Sequence, residues 1–146
     1  RFMEGLRMVA DRALRRGVTV LVEALDRSQT DMINTLAEAR ALVEEIDHPA
    51  IELMFDFHNT ADETEPFDAL IAAHYQRIRH VHVQEMDGRH LGAGSAVEAF
   101  APGFQALKDR GYGGWVSLEV FDFAPGGRRI AAESMAAFKR IEARLV

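Results

Sequence analysis

Four side chains able to grip a cation sit late in four short apolar runs: Glu23 in VTVLVEAL, Asp56 in IELMFDF, His82 in RIRHVHV and Glu119 in WVSLEVF. On an extended strand residues two apart share a face, so Asp56 pairs with His58, His80 with His82, and Ser117 with Glu119. Were the runs parallel strands, their carboxyl ends would align at one rim and the four side chains would converge there. Three carboxylates and an imidazole gathered without a cation repel one another and drive protonation. A divalent ion resolves that conflict. Oxygen-rich ligation with one nitrogen suits Mn2+, Mg2+ or Co2+, and Zn2+ is compatible without being selected.

The elements that must position these residues follow from periodicity. Residues 2–16 place Phe2, Leu6, Val9, Ala10, Ala13 and Leu14 on one helical face that stops at Gly17. A β-branched run at 18–25 reads as a buried strand. Thr30 or Asp31 caps a helix over 31–46, closed by Pro49. Strands follow at 51–57, 77–83 and 115–121, with helices from 67 to 76, from the glycine-rich loop DGRHLGAGSAVE to about Arg110, and from FAPGGRR to the C-terminus. Strands alternating with helices require parallel pairing through right-handed crossovers, an α/β layer in one domain spanning 1–146. Two architectures fit: a doubly wound sheet, or four consecutive units of a (β/α)₈ barrel with two open sheet edges. Against a flavodoxin-like sheet, EALDRSQT rather than a glycine-rich phosphate loop follows the first strand.

Composition narrows the partners. The chain has 146 residues, with 17 basic against 23 acidic side chains and a net charge of -6, which disfavours a phosphate backbone as ligand. The absence of cysteine excludes disulfides, thiolate metal sites and cysteine nucleophiles. No apolar run reaches the roughly 20 residues of a membrane span, so the expectation is a cytoplasmic protein. Simpler readings compete for several polar residues. His80 reads as a satisfied interior histidine. Asp26, Glu85, Asp87 and Glu98 read as solvated charges or caps, ADETEP as an exposed loop, and Met54 and Phe55 as core. Four successive strands presenting a candidate ligand at one level is the coincidence that favours a shared site.

Four segments then carry a resemblance. LVEALDRSQTDMINTLAEA resembles the fifth-strand segment of ketose 3-epimerases, and FDFHNT resembles the sixth-strand Asp with its nearby His. HVHVQEMDGRHLGAG is similar to the seventh-strand segment of hydroxypyruvate isomerase relatives, and GYGGWVSLEVF to the eighth-strand Gly-Tyr-x-Gly…Glu segment. Together they resemble the xylose isomerase-like TIM barrels of sugar isomerases and epimerases. The chain departs from the pattern in three places: Asp56 and His58 are two apart rather than three, Asp26 stands where Asn is usual, and Gly-x-Gly lacks its preceding Pro.

The resemblance implies the C-terminal half of a TIM barrel, strands five to eight. It implies that Glu23, Asp56, His82 and Glu119 bind the metal and that Glu23 and Glu119 double as acid and base. His58 and Arg89 would hold substrate, with His90 facing the same pocket. The expected activity is a metal-dependent isomerisation or epimerisation of a small ketose or keto acid through an enediolate. Open edges imply completion by another copy and a homo-oligomer. Three rivals stay open: dehydration of a keto-inositol-type substrate, an endonuclease of the same superfamily, which the acidic charge opposes, and a catalytically silent half-barrel that self-associates.

Overall fold

A computed structural model describes all residues, 1–146. Its elements in order are α1 (Phe2–Arg15), β1 (Val20–Val22), α2 (Leu36–Ile46), β2 (Ile51–Asp56), α3 (Phe67–His74), β3 (Ile78–Val83), α4 (Ala96–Asp109), β4 (Trp115–Leu118) and α5 (Gly127–Glu142). The four strands form one parallel sheet in the order β1-β2-β3-β4. A doubly wound sheet must reverse its strand order; this order never does, so the barrel-type succession is the one adopted. The helices make one layer, α1 against α2, α2 against α3, α3 against α4 and α4 against α5.

Strand alternation sorts the residues between the two faces. Toward the helices point Val22, Ile51, Leu53, Phe55, Val81 and Val83, all buried in the apolar clusters between sheet and helices. The opposite face carries Glu23, Met54, Asp56, His80, His82, Ser117 and Glu119. In a closed barrel that face lines the interior. β1 and β4 are edge strands, and Trp115 at the start of β4 is 81% exposed.

Two boundaries move from their expected places for identifiable reasons. β1 covers three residues instead of eight, and α2 begins at Leu36 instead of 31. Thr35 forms a complete capping box with Glu38, with the Thr35 side chain accepting from the Glu38 N–H and the Glu38 carboxylate from the Thr35 N–H. Buried Asn34 donates to the carbonyls of Leu25 and Thr30, which folds residues 25–34 into turns. That arrangement outcompetes a cap at Thr30 or Asp31. On α1 only Ala10 is fully buried; Val9 and Leu14 are 45% and 50% exposed, because one flank of the helix has no partner.

The turn after β2 is pinned by aromatic packing. Phe57 is fully buried, stacked on Phe104 at 5.0 Å between ring centroids and tilted on Phe100 at 4.7 Å. Gly103 makes this possible, since a Cβ there would lie 2.7 Å from the Phe57 ring. Phe57 thereby fixes its neighbours on both sides, Asp56 and His58, to the rigid core.

Candidate metal centre

Glu23 and Glu119 each sit one residue past the end of an outer strand, Asp56 ends β2 and His82 is the penultimate residue of β3. Asp56 is in register with His82, and His82 with Ser117. The two long glutamate side chains come from the flanking strands and the shorter Asp and His from the centre, so side-chain length compensates for lateral distance. One donor atom from each of the four lies within 4.8 Å of all the others. The convergence expected from strand parity is therefore present in three dimensions.

The electrostatics are those of an anionic cluster short of a cation. Burial raises the Glu23 carboxyl pKa above its ordinary value, and Glu119 adds to the rise. Asp56 is raised by burial and by Glu23, against the opposing hydrogen bond from the His58 N–H at 2.9 Å. Burial, then Asp56, raises Glu119. His82 Nδ1 is buried with no hydrogen-bond partner, although Glu119 lies 3.5 Å away and Glu23 3.9 Å away. A buried polar atom without a partner is costly. An imidazole nitrogen facing carboxylates beyond bonding reach, all within a small sphere, fits coordination of a divalent ion by this donor set. Asp56 is 5% exposed, whereas the Glu23, His82 and Glu119 side chains retain 26%, 24% and 25%, so one side of the centre stays open to a ligand.

The remaining expected site residues divide. His58 is half-buried beside the cluster, its Nδ1 2.9 Å from the Glu85 carbonyl. If that Nδ1 carries the proton, Nε2 is left as an acceptor. Arg89 is exposed; it donates to Asp87 at 2.7 and 2.9 Å and to the Ala93 carbonyl at 2.6 Å. His90 is buried and its Nε2 lies 2.8 Å from Glu133 on α5. Both Arg89 and His90 line a polar cavity of about 340 Å³ together with Asp122, Arg129 and Glu133. Neither forms a hydrogen bond or ion pair with the four clustered residues.

Three polar residues do more than sequence reasoning assigned to them. Glu85 is 3% exposed and its carboxylate accepts from the N–H groups of Gly92 and Ala96 at 2.8 and 3.0 Å. It caps α4 across ten residues and fastens the glycine-rich loop. Within ADETEP, half-buried Glu63 accepts from the Leu36 N–H at 2.7 Å, so that loop docks on the start of α2. Asn59, 6% exposed, donates from Nδ2 to Glu23 at 3.1 Å and to Asp56 at 3.0 Å. Sequence reasoning did not single it out; the signal that could have was its position three residues after Asp56, the spacing at which the resembled family carries a histidine.

Known proteins resemble the chain over most of its length. Over 114 residues, 77% of the chain, it is 34% identical to a ketose 3-epimerase of Arthrobacter globiformis. Over 124 residues, 84% of the chain, it is 31% identical to a probable ketose 3-epimerase of Synechocystis. It spans 38% and 42% of the length of these two relatives. A crystal structure of 3-keto-D-glucoside 4-epimerase from E. coli superposes with a TM-score of 0.78 at 25% identity, over 97% of this chain and 52% of that one. The profile of the xylose isomerase-like TIM barrels matches residues 1–141, and the chain belongs to that family.

Proposed function

We propose that this chain provides the metal-binding and proton-transferring half of a ketose epimerase or isomerase. The observation that carries the reading is the convergence of Glu23, Asp56, His82 and Glu119 within 4.8 Å at the open carboxyl rim of the sheet. Similarity to ketose 3-epimerases supports the substrate class, a small ketose or related keto sugar. Glu23, Asp56, His82 and Glu119 would hold a divalent ion such as Mn2+, Mg2+ or Co2+, which would supply Lewis-acid polarisation of a carbonyl and stabilise the charge that develops on its oxygen.

The chain's own residues do the rest. Asp56 and His82, held centrally and in register, fix the position of the centre. Glu23 and Glu119 come from the two outer strands, so their carboxylates approach from opposite sides. One takes a proton from the carbon beside the carbonyl and the other returns a proton. Delivery to the opposite face of the same carbon gives epimerisation; delivery to the neighbouring carbon gives isomerisation. His58 and Arg89 are proposed to hold substrate hydroxyl or carboxylate groups, and His90 to line the same side of the rim. The chain is proposed as one half-barrel domain over 1–146, working in the cytoplasm.

The test is to incubate the chain with Mn2+ and a panel of ketopentoses and ketohexoses in D2O and read deuterium at the carbon next to the carbonyl. Incorporation, with an epimer or isomer as product, supports the reading; loss of water from the sugar would redirect it to dehydration. Absence of exchange with metal bound overturns it. A second reading, a self-associating module without turnover, is favoured by the open edges of β1 and β4 and by exposed Trp115. It predicts a discrete oligomer in solution and no exchange.

A further inference from the structure

The residues that hold Glu23 and Asp56 in place are themselves held by a side chain outside the cluster. Asn59 Nδ2 bridges the two carboxylates, at 3.1 Å to Glu23 Oε1 and 3.0 Å to Asp56 Oδ2. A primary amide presents two N–H donors on one end and an acceptor on the other. If Asn59 were reversed, its oxygen would face two carboxylates. Gln29 reinforces the observed orientation from the other end, its Nε2 donating to Asn59 Oδ1 at 2.7 Å and to Asp26 Oδ2 at 2.6 Å. Asp26 in turn accepts from the Ser28 N–H at 2.8 Å and from the Ser28 hydroxyl, in a tight turn after β1. The Ser28 and Gln29 hydrogen bonds lower its pKa, so it remains an ionised acceptor.

From this geometry we infer that Gln29 and Asn59 act as positioning residues for the cation centre, a relay running from the β1–α2 turn to two of its four ligands. The inference rests on the proposal that the four residues bind a divalent ion. Its logic is that Asn59 brings two mutually repelling carboxylates to one distance without adding charge, and Gln29 keeps the amide the right way round. Asn59 is buried on the pinned turn behind Phe57, whereas Gln29 is exposed on the far side of Asn59 from Asp56 and reaches no ligand itself. Gln29 therefore acts only through Asn59. Outer partners that orient metal ligands change metal affinity by about 10–100-fold when removed.

The experiment is a double-mutant cycle on Mn2+ affinity, read by electron paramagnetic resonance of free Mn2+, with the metal-free melting temperature of each variant measured in parallel. Asn59→Leu keeps the branched shape and is expected to weaken Mn2+ binding about 10–100-fold. Gln29→Met is expected to weaken it severalfold while leaving the metal-free melting temperature unchanged. The double variant is expected to bind no worse than Asn59→Leu alone, since removal of Asn59 removes everything Gln29 acts upon. Additive losses in the double variant, or wild-type affinity in Gln29→Met, overturn the relay. Failure of the unmodified chain to bind Mn2+ would instead overturn the proposed function, so the two outcomes are distinguishable.

Discussion

The same face of the sheet holds buried carboxylates at both ends of the strands, and the two ends treat them differently. At the amino end Glu52, 6% exposed, faces Arg77 at 3.3 Å and Arg79 at 3.2 Å. At the carboxyl end Glu23, Asp56 and Glu119 face one another and a histidine, with no lysine or arginine in contact. The amino-end acid is neutralised from within the chain. The carboxyl-end acids are not, and burial raises all three pKa values. The structural carboxylate is matched to arginines and the clustered rim carboxylates are not, which is the charge imbalance that the proposed divalent ion would neutralise.

The largest break in this contrast is expected from the rim. Glu119→Gln keeps the side chain's shape and removes the proposed base, which is also a proposed metal ligand, and activity should fall by at least about 10²–10⁴-fold with the circular dichroism spectrum unchanged. Asp56→Asn or His82→Ala should weaken Mn2+ binding by more than the roughly 10–100-fold of an outer partner, as measured by isothermal titration calorimetry. Glu52→Gln is the control from the other end. It should cost about 1–3 kcal/mol of stability, moderated because both arginines reach solvent, and leave Mn2+ affinity unchanged.

A pH series sharpens the comparison. Carboxyl pKa values raised in the folded chain mean that the folded state holds more protons than the unfolded state in the window above the ordinary carboxylate range of about 4. The contribution of Glu23, Asp56 and Glu119 to the stability of the metal-free chain is therefore full below that range and lost as pH climbs through the raised values. The gap in melting temperature between the Mn2+-loaded and the metal-free chain should therefore widen as pH is raised from about 4, and should widen less in Glu119→Gln. The smallest expected effect on metal affinity is at Glu85. Glu85→Ala removes the acceptor of the Gly92 and Ala96 N–H groups, a cost of about 1–3 kcal/mol for a buried one left unpaired, and hydrogen exchange should quicken at Gly92 and Ala96.

How much of this was legible in the sequence follows from the range of each interaction. Period-two alternation and the position of each acid late in its run sufficed for the four clustered residues, because the parity of a strand is a local property; the strand order came from the family resemblance, since alternation fits a doubly wound sheet and a barrel succession equally. Nothing local says that Asn59 bridges Glu23, 36 residues away, or that Gln29 orients it from 30 residues away. Nor does local sequence reveal that His90 is engaged by Glu133 on α5, 43 residues on. Glu85 read as a solvated charge or a cap and is a buried cap, a distinction that depends on how the loop closes over it. The shortened β1 reflects competition between an apolar run that favours a strand and the Asn34 side chain that favours turns.

Crystals of the chain grown with Mn2+ and measured at the manganese edge test the central claim most directly. One anomalous peak bonded to Glu23, Asp56, His82 and Glu119 is the predicted result. No peak there, or a peak held by other side chains while these four remain apart, would contradict it.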